Sequence, residues 1–93
     1  MSHKVHTVTG HDYILQFYIY GSDLIIAYEG NKEIYSQQVA SVRYSKEYKR
    51  WHVELCRERA TTVMIRSVIR YVDLLNEGKK SVQQVQQELP LEA

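Results

Sequence analysis

The chain has 93 residues, a mass of 11.0 kDa and a formal net charge of +1, with 44% hydrophobic and 25% charged residues. This size and balance are typical of a single globular domain and exclude the disordered, collagen-like and low-complexity classes. The longest apolar run, Leu24–Tyr28, is far shorter than the roughly 18 residues of a membrane-spanning helix, so no membrane contact is expected. The single cysteine, Cys56, excludes an internal disulfide and fits a reducing compartment, and we expect a cytoplasmic protein.

The first half of the sequence predicts antiparallel β-structure. Residues 13–20 are aromatic and β-branched, which suits a half-buried strand, and the odd and even positions define two faces. Turn chemistry at residues 21–23 separates this strand from a second strand at residues 24–29. A second turn at Gly30 and Asn31 leads into a third strand at residues 33–39, which completes a meander.

The meander continues beyond this third strand. Residues 37–50 hold no strict period of two, and we interpret them as a continued or bulged strand to Tyr44 followed by a loop. Residues 50–56 alternate again and predict a fourth strand. One of its faces carries Trp51, Val53 and Leu55. A short edge strand at residues 5–8 is the alternative that gives five strands.

The second half of the sequence predicts an amphipathic helix at residues 62–77. Thr61 or Thr62 can cap its first turn, and Gly78 can end it in a left-handed conformation. The apolar stripe of this helix comprises Met64, Ile65, Val68, Ile69, Val72 and Leu75.

The order of strands then helix predicts an α+β fold with one domain over residues 1–78, whose strands span about 13–56. Residues 79–93 predict a short C-terminal helix and tail, and we expect this segment to dock on a second copy and form a homodimer. The predicted core comprises Leu15, Phe17, Ile25, Val53, Leu55, Ile65, Val68, Val72 and Leu75.

No residue pattern indicates catalysis, a metal site or a cofactor. Cys56 and His52 are four positions apart on a predicted strand, about 13 Å, which is too far for a nucleophile and its base. The four glycines are isolated and form no phosphate-binding loop. Histidines near the N-terminus have no paired cysteines, and we interpret them as exposed polar side chains. They are His3, His6 and His11.

Charge is distributed unevenly along the chain. Residues 43–70 carry eight lysines and arginines against three glutamates, a net charge of +5, whereas residues 1–42 and 71–93 each carry two cations against four carboxylates. The cations interleave with aromatic rings that can stack on nucleic-acid bases. The candidate contact residues of this basic aromatic band are Arg43, Tyr44, Lys46, Tyr48, Lys49, Arg50, Trp51, Arg57, Arg59, Arg66 and Arg70.

Two functions remain open at this point. The sequence favours a small binding or regulatory protein without a cofactor that contacts a protein partner, as an inhibitor or adaptor of mobile-element origin. The alternative function is nucleic-acid binding through the basic aromatic band. A purely structural role for the band is also open, in which Trp51 and the tyrosines pack beneath the helix and the lysines are solvated. The tyrosines of the predicted sheet add to the case for protein contact, because two short helices cannot bury all of Tyr18, Tyr20, Tyr28 and Tyr35.

Overall fold

Five antiparallel strands follow one another in chain order across a single sheet in the computed structural model, which describes residues 2–30 and 37–78. The elements are β1 (Ser2–Thr9), β2 (Ile14–Tyr20), β3 (Leu24–Glu29), β4 (Gln37–Ser45), β5 (Arg50–Cys56) and α1 (Thr62–Asn76). The α+β class is confirmed, and the sheet is the five-stranded alternative. Residues 31–36, where the predicted third strand begins, and the predicted helix in residues 79–93 lie outside the described residues.

The turns at one end of the sheet are built by residues in the left-handed region. Gly21, with φ of 70°, opens the turn between β2 and β3, and Lys49, with φ of 55°, closes the turn between β4 and β5. The backbone N–H of Tyr44 donates to the carbonyl of Asp23 at 2.9 Å, which ties β4 to the turn between β2 and β3.

The hydrophobic core lies between α1 and one face of the sheet. Burial alternates along β2, where Leu15, Phe17 and Ile19 point toward α1, as the period of two predicts. Other strands and the helix add Val5, Ile25, Ala27, Val39, Ala40, Val42, Met64, Val68, Tyr71, Val72 and Leu75. Six of the nine predicted core residues are therefore buried in one cluster, and Val53 packs against it half-buried.

Both predicted ends of the helix are confirmed. The side chain of Thr61 accepts a hydrogen bond from the backbone N–H of Met64 at 3.3 Å, and Gly78 follows the helix with φ of 75°. No helix in residues 2–30 and 37–78 is long and apolar enough to cross a membrane.

The prediction that Leu55 belongs to the core is wrong. Ser41 pairs with Leu55 and the next residue, Val42, pairs with Val53, so Glu54 is an extra residue that forms a β-bulge. The bulge turns Leu55 to the sheet face that points away from α1, where 48% of its surface is exposed.

The same bulge changes the relation between His52 and Cys56. His52 pairs with Arg43 on the face turned away from α1, whereas Cys56 pairs with buried Ala40. The two side chains therefore leave opposite faces of the sheet and do not share the face that strict alternation predicts.

The helical stripe is narrower than predicted. Ile69 is 45% exposed and Ile65 is only half-buried, because the buried positions centre on Met64, Val68 and Leu75. At about 100° per residue, Ile69 lies well to one side of that centre.

Tyr71 is a core residue that the apolar stripe did not include. Its ring stacks on His6 with centroids 4.3 Å apart and an interplanar angle of 5°, and it packs on Phe17 with centroids 4.7 Å apart. Its hydroxyl is buried without a hydrogen-bond partner among the described residues, and burial raises the pKa of this phenol. The aromatic stack joins β1, β2 and α1.

Tyr13 anchors the turn between β1 and β2 to the helix. Its hydroxyl lies 3.0 Å from the hydroxyl of Ser67 on α1. A side chain at Gly10 would occupy the space of the Tyr13 ring, since a Cβ there would lie 2.2 Å from a ring carbon. Glycine is therefore required where this turn approaches the helix.

Asn76 blocks the edge of β5. Its side-chain oxygen accepts from the backbone N–H of Trp51 at 2.7 Å, and its side-chain nitrogen donates to the carbonyl of Trp51 at 2.9 Å. A strand would make the same two hydrogen bonds, so the amide takes the place of a sixth strand at this point.

Core packing predicts unequal effects of two substitutions on the same helix. Leu75→Ala should lower the free energy of unfolding by about 2–4 kcal/mol, because Leu75 is 8% exposed and its loss leaves a cavity. Ile69→Ala, at an exposed position, should change it by less than about 0.5 kcal/mol. Urea denaturation measures both values, and equal losses would contradict this packing.

Asn76→Ala should lower the free energy of unfolding by about 1–3 kcal/mol, because both backbone groups of Trp51 lose their partner at the sheet edge. Hydrogen exchange at the Trp51 amide should accelerate in the same variant. Asp73→Ala, an exposed change one turn earlier, is the matched control. A Trp51 amide that stays as protected as before would show that Asn76 does not cap the strand.

Candidate interaction surface

The sheet face turned away from α1 carries an apolar group of side chains, which we call the tyrosine patch. It consists of Tyr18, Tyr20, Leu24, Ile26 and Tyr28, all half-buried. The two faces that the odd and even positions of residues 13–20 predict are confirmed by the alternation of burial along β2. α1 lies on the other face, so the helix covers none of these side chains.

The tyrosines of the patch contact one another. The hydroxyls of Tyr20 and Tyr28 share a hydrogen bond, and Tyr18 meets Tyr28 edge-on with centroids 5.8 Å apart. Tyr18 also donates its hydroxyl to the side-chain oxygen of Gln16 at 3.1 Å. Tyr20 pairs with Leu24 on one side of the Tyr18–Ile26 pair, and Tyr28 lies on the other side. The hydrogen bond between the two tyrosines therefore connects the residue pairs that flank Ile26.

Partial burial changes the acidity of the patch. Desolvation, followed by the hydrogen bond with Tyr20, raises the pKa of Tyr28 to about 12. Tyr28 is therefore uncharged at neutral pH, and its hydroxyl shares a hydrogen bond with Tyr20 inside the patch.

Polar side chains border the tyrosine patch. Arg43 donates from Nε to Glu54 at 2.9 Å and lies 3.7 Å from a carboxylate oxygen of Asp23. Lys4 on β1 is the pairing partner of Tyr18 at the opposite border. Leu55, which the bulge in β5 turns outward, extends the apolar area toward the β5 edge of the sheet.

The basic aromatic band predicted from the sequence is divided among several places. One part, the hairpin tip, is the turn between β4 and β5 with the first residue of β5, and its members Lys46, Tyr48, Lys49 and Arg50 are all exposed. Tyr48 is 73% exposed, and its backbone N–H donates to the hydroxyl oxygen of Ser45 at 3.2 Å.

Tyr44 and Trp51 belong to a different surface from the hairpin tip. Their rings meet edge-on with centroids 5.4 Å apart, and Trp51 packs half-buried against the core. This placement matches the structural alternative for Trp51, in which the indole supports the helix.

The remaining arginines lie away from the hairpin tip. Arg57 and Arg59 follow the far end of β5, about 20 Å along a seven-residue strand, and Arg57 donates to the side-chain oxygen of Gln38 at 3.1 Å. Arg66 and Arg70 are exposed on α1. The structure thus brings only four of the eleven predicted contact residues together at the tip.

No group of three or more His, Cys, Asp or Glu side chains in the described part of the chain could hold a metal ion. His6, one of the histidines of the N-terminal group, stacks on Tyr71.

Comparison with family models, with curated proteins and with solved structures found no match to this chain.

The raised pKa of Tyr28 predicts a loss of stability at alkaline pH. Tyr28 has its ordinary pKa of 10.0 in the unfolded chain and a pKa of about 12 in the folded chain, so the unfolded chain ionises first as the pH rises. The contribution of Tyr28 to the free energy of unfolding is therefore complete below pH 10 and is lost as the pH rises through about 12. Tyr28→Phe should therefore lose less free energy of unfolding than the natural chain between those two values.

Tyr48→Phe is the control for this measurement, because its ring is largely exposed, and it should follow the natural chain. Urea denaturation at a series of pH values gives the comparison. Parallel pH profiles for all three proteins would contradict the assignment.

Proposed function

We propose that this chain is a small binding protein that acts by contact with a protein partner through the sheet face turned away from α1. The observation that carries the proposal is the tyrosine patch, an apolar aromatic centre with a polar border that no described element covers. An apolar centre rich in tyrosine within a polar rim is the usual composition of protein interfaces.

The charges around the patch favour protein over nucleic acid. A single strand bound on aromatic rings needs free cations beside them to neutralise its phosphates. Two carboxylates, Asp23 and Glu54, contact Arg43 at one border of the patch, and Lys4 lies at the other border. The border of the patch is therefore close to charge balance, which suits a mixed polar rim.

An effect through contact alone is typical of inhibitors and adaptors. Such a protein requires a stable scaffold and an exposed surface, and both are provided here by one helix packed on one face of the sheet. We assign no catalytic role to the exposed thiol of Cys56, whose nearest histidine in the sequence leaves the opposite face.

Nucleic-acid binding at the hairpin tip is the second candidate. Tyr48 is the most exposed large hydrophobic side chain in residues 2–30 and 37–78, and Lys46, Lys49 and Arg50 lie beside it in the chain. Lys49 holds a left-handed backbone conformation that glycine adopts more readily, which fixes the turn at some energetic cost.

A photo-crosslinker separates the two sheet faces. With p-benzoylphenylalanine in place of Tyr18, irradiation of the protein in its native cells should give a discrete crosslink to a polypeptide, because this ring lies in the tyrosine patch. The same group in place of Ile69, on the outer side of α1, should give none. Equal labelling at both positions, or no crosslink from position 18, would overturn the proposal.

The second candidate is tested with single- and double-stranded oligonucleotides. If the hairpin tip binds them, affinity should fall steeply with salt, and Lys49→Ala with Arg50→Ala should weaken binding without unfolding the chain. Binding that is absent, or unaffected by these changes, would leave only the protein partner.

A further inference from the structure

The structure supports a specific occupant for the tyrosine patch. We propose that a second copy of this chain covers it, with the two sheets packed face to face about a twofold axis that runs parallel to β3. This inference rests on the proposed function, since it names the partner of the same surface.

The sheet register determines which strands would meet in such a dimer. β3 is the central strand of five, so a twofold axis along it places β2 of one copy over β4 of the other, and β1 over β5. Packed sheets keep their strands within about 30° of each other, so residues at equal height on the central strands meet.

The residues that would meet are complementary in size. Tyr18 and Ser41 are both pairing partners of Ile26, so they lie at the same height on either side of the axis. The twofold therefore sets the Tyr18 ring of each copy over the small Ser41 of the other. A twofold axis across the strands would instead bring the Tyr18 rings together, which is less favourable for close packing.

The residues that would meet are also complementary in charge. Tyr20 and Arg43 are both partners of Leu24, so the guanidinium of one copy meets the face of a tyrosine ring in the other. Lys4 shares a row with Leu55 through Tyr18, Ile26 and Ser41, so the alkyl part of its side chain would lie against Leu55 of the other copy. The proposed dimer therefore has a cation–ring contact at Arg43 and an apolar contact at Lys4.

A reciprocal exchange of side chains tests this arrangement. The natural chain should sediment with twice the 11.0 kDa mass of one copy. Ser41→Tyr sets ring against ring at two symmetry-related contacts and should weaken dimerisation by about 100-fold, at about tenfold for each contact. The double variant Tyr18→Ser with Ser41→Tyr restores one ring and one small residue at each contact and should recover most of the affinity.

Circular dichroism confirms that each variant is folded, and Ile69→Tyr on the outer side of α1 is the matched control that should remain a dimer. A natural chain that is a monomer at every concentration, or a double variant no tighter than Ser41→Tyr, would overturn the second copy as occupant. The crosslinker at position 18 then tests the proposed function separately from the dimer. A crosslink to a different polypeptide retains that function without the dimer, and the absence of any crosslink removes both.

Discussion

Within residues 2–30 and 37–78 one helix, α1, covers one face of a five-stranded sheet, and the other features of this part of the chain follow from that constraint. An antiparallel sheet can leave one face to solvent when its side chains alternate between apolar and polar. Here the alternation in β2 and β3 places Leu15, Phe17 and Ile25 under α1. The opposite face retains rings and aliphatic side chains where polar residues would suffice for solvent, and that excess is the basis of the proposed interaction surface.

Much of the fold could be predicted from local chemistry. Residues 13–20 alternate and are β-branched, glycines mark the turns, and Thr61 and Gly78 mark the helix ends, so these features need only near neighbours in the chain. The core of β5 could not be predicted in this way. The bulge at Glu54 depends on pairing with β4, and it reverses the face of Leu55 without any signal in the alternating pattern.

The candidate site was less predictable because it depends on which charges meet in space. Arg43 counts as a free cation in a linear sum, but the bulge and the turn between β2 and β3 bring Glu54 and Asp23 to it. From the sequence, the Trp51 ring is a candidate to stack on nucleic-acid bases. In the structure, the sheet register turns it toward the core beneath the helix. A run of sequence with a net charge of +5 therefore becomes separate small groups.

The dimer symmetry would relate the two candidate functions. A twofold axis parallel to the strands preserves their direction along the axis, so the hairpin tips of both copies extend from the same end of the dimer. Each tip carries three cations, Lys46, Lys49 and Arg50, against the carboxylate of Glu47. Two such tips double the positive charge at one end, and a ligand that spans both gains affinity from the second contact without any new residue. The tyrosine patch would then hold the two copies together, and the hairpin tips would act as a pair.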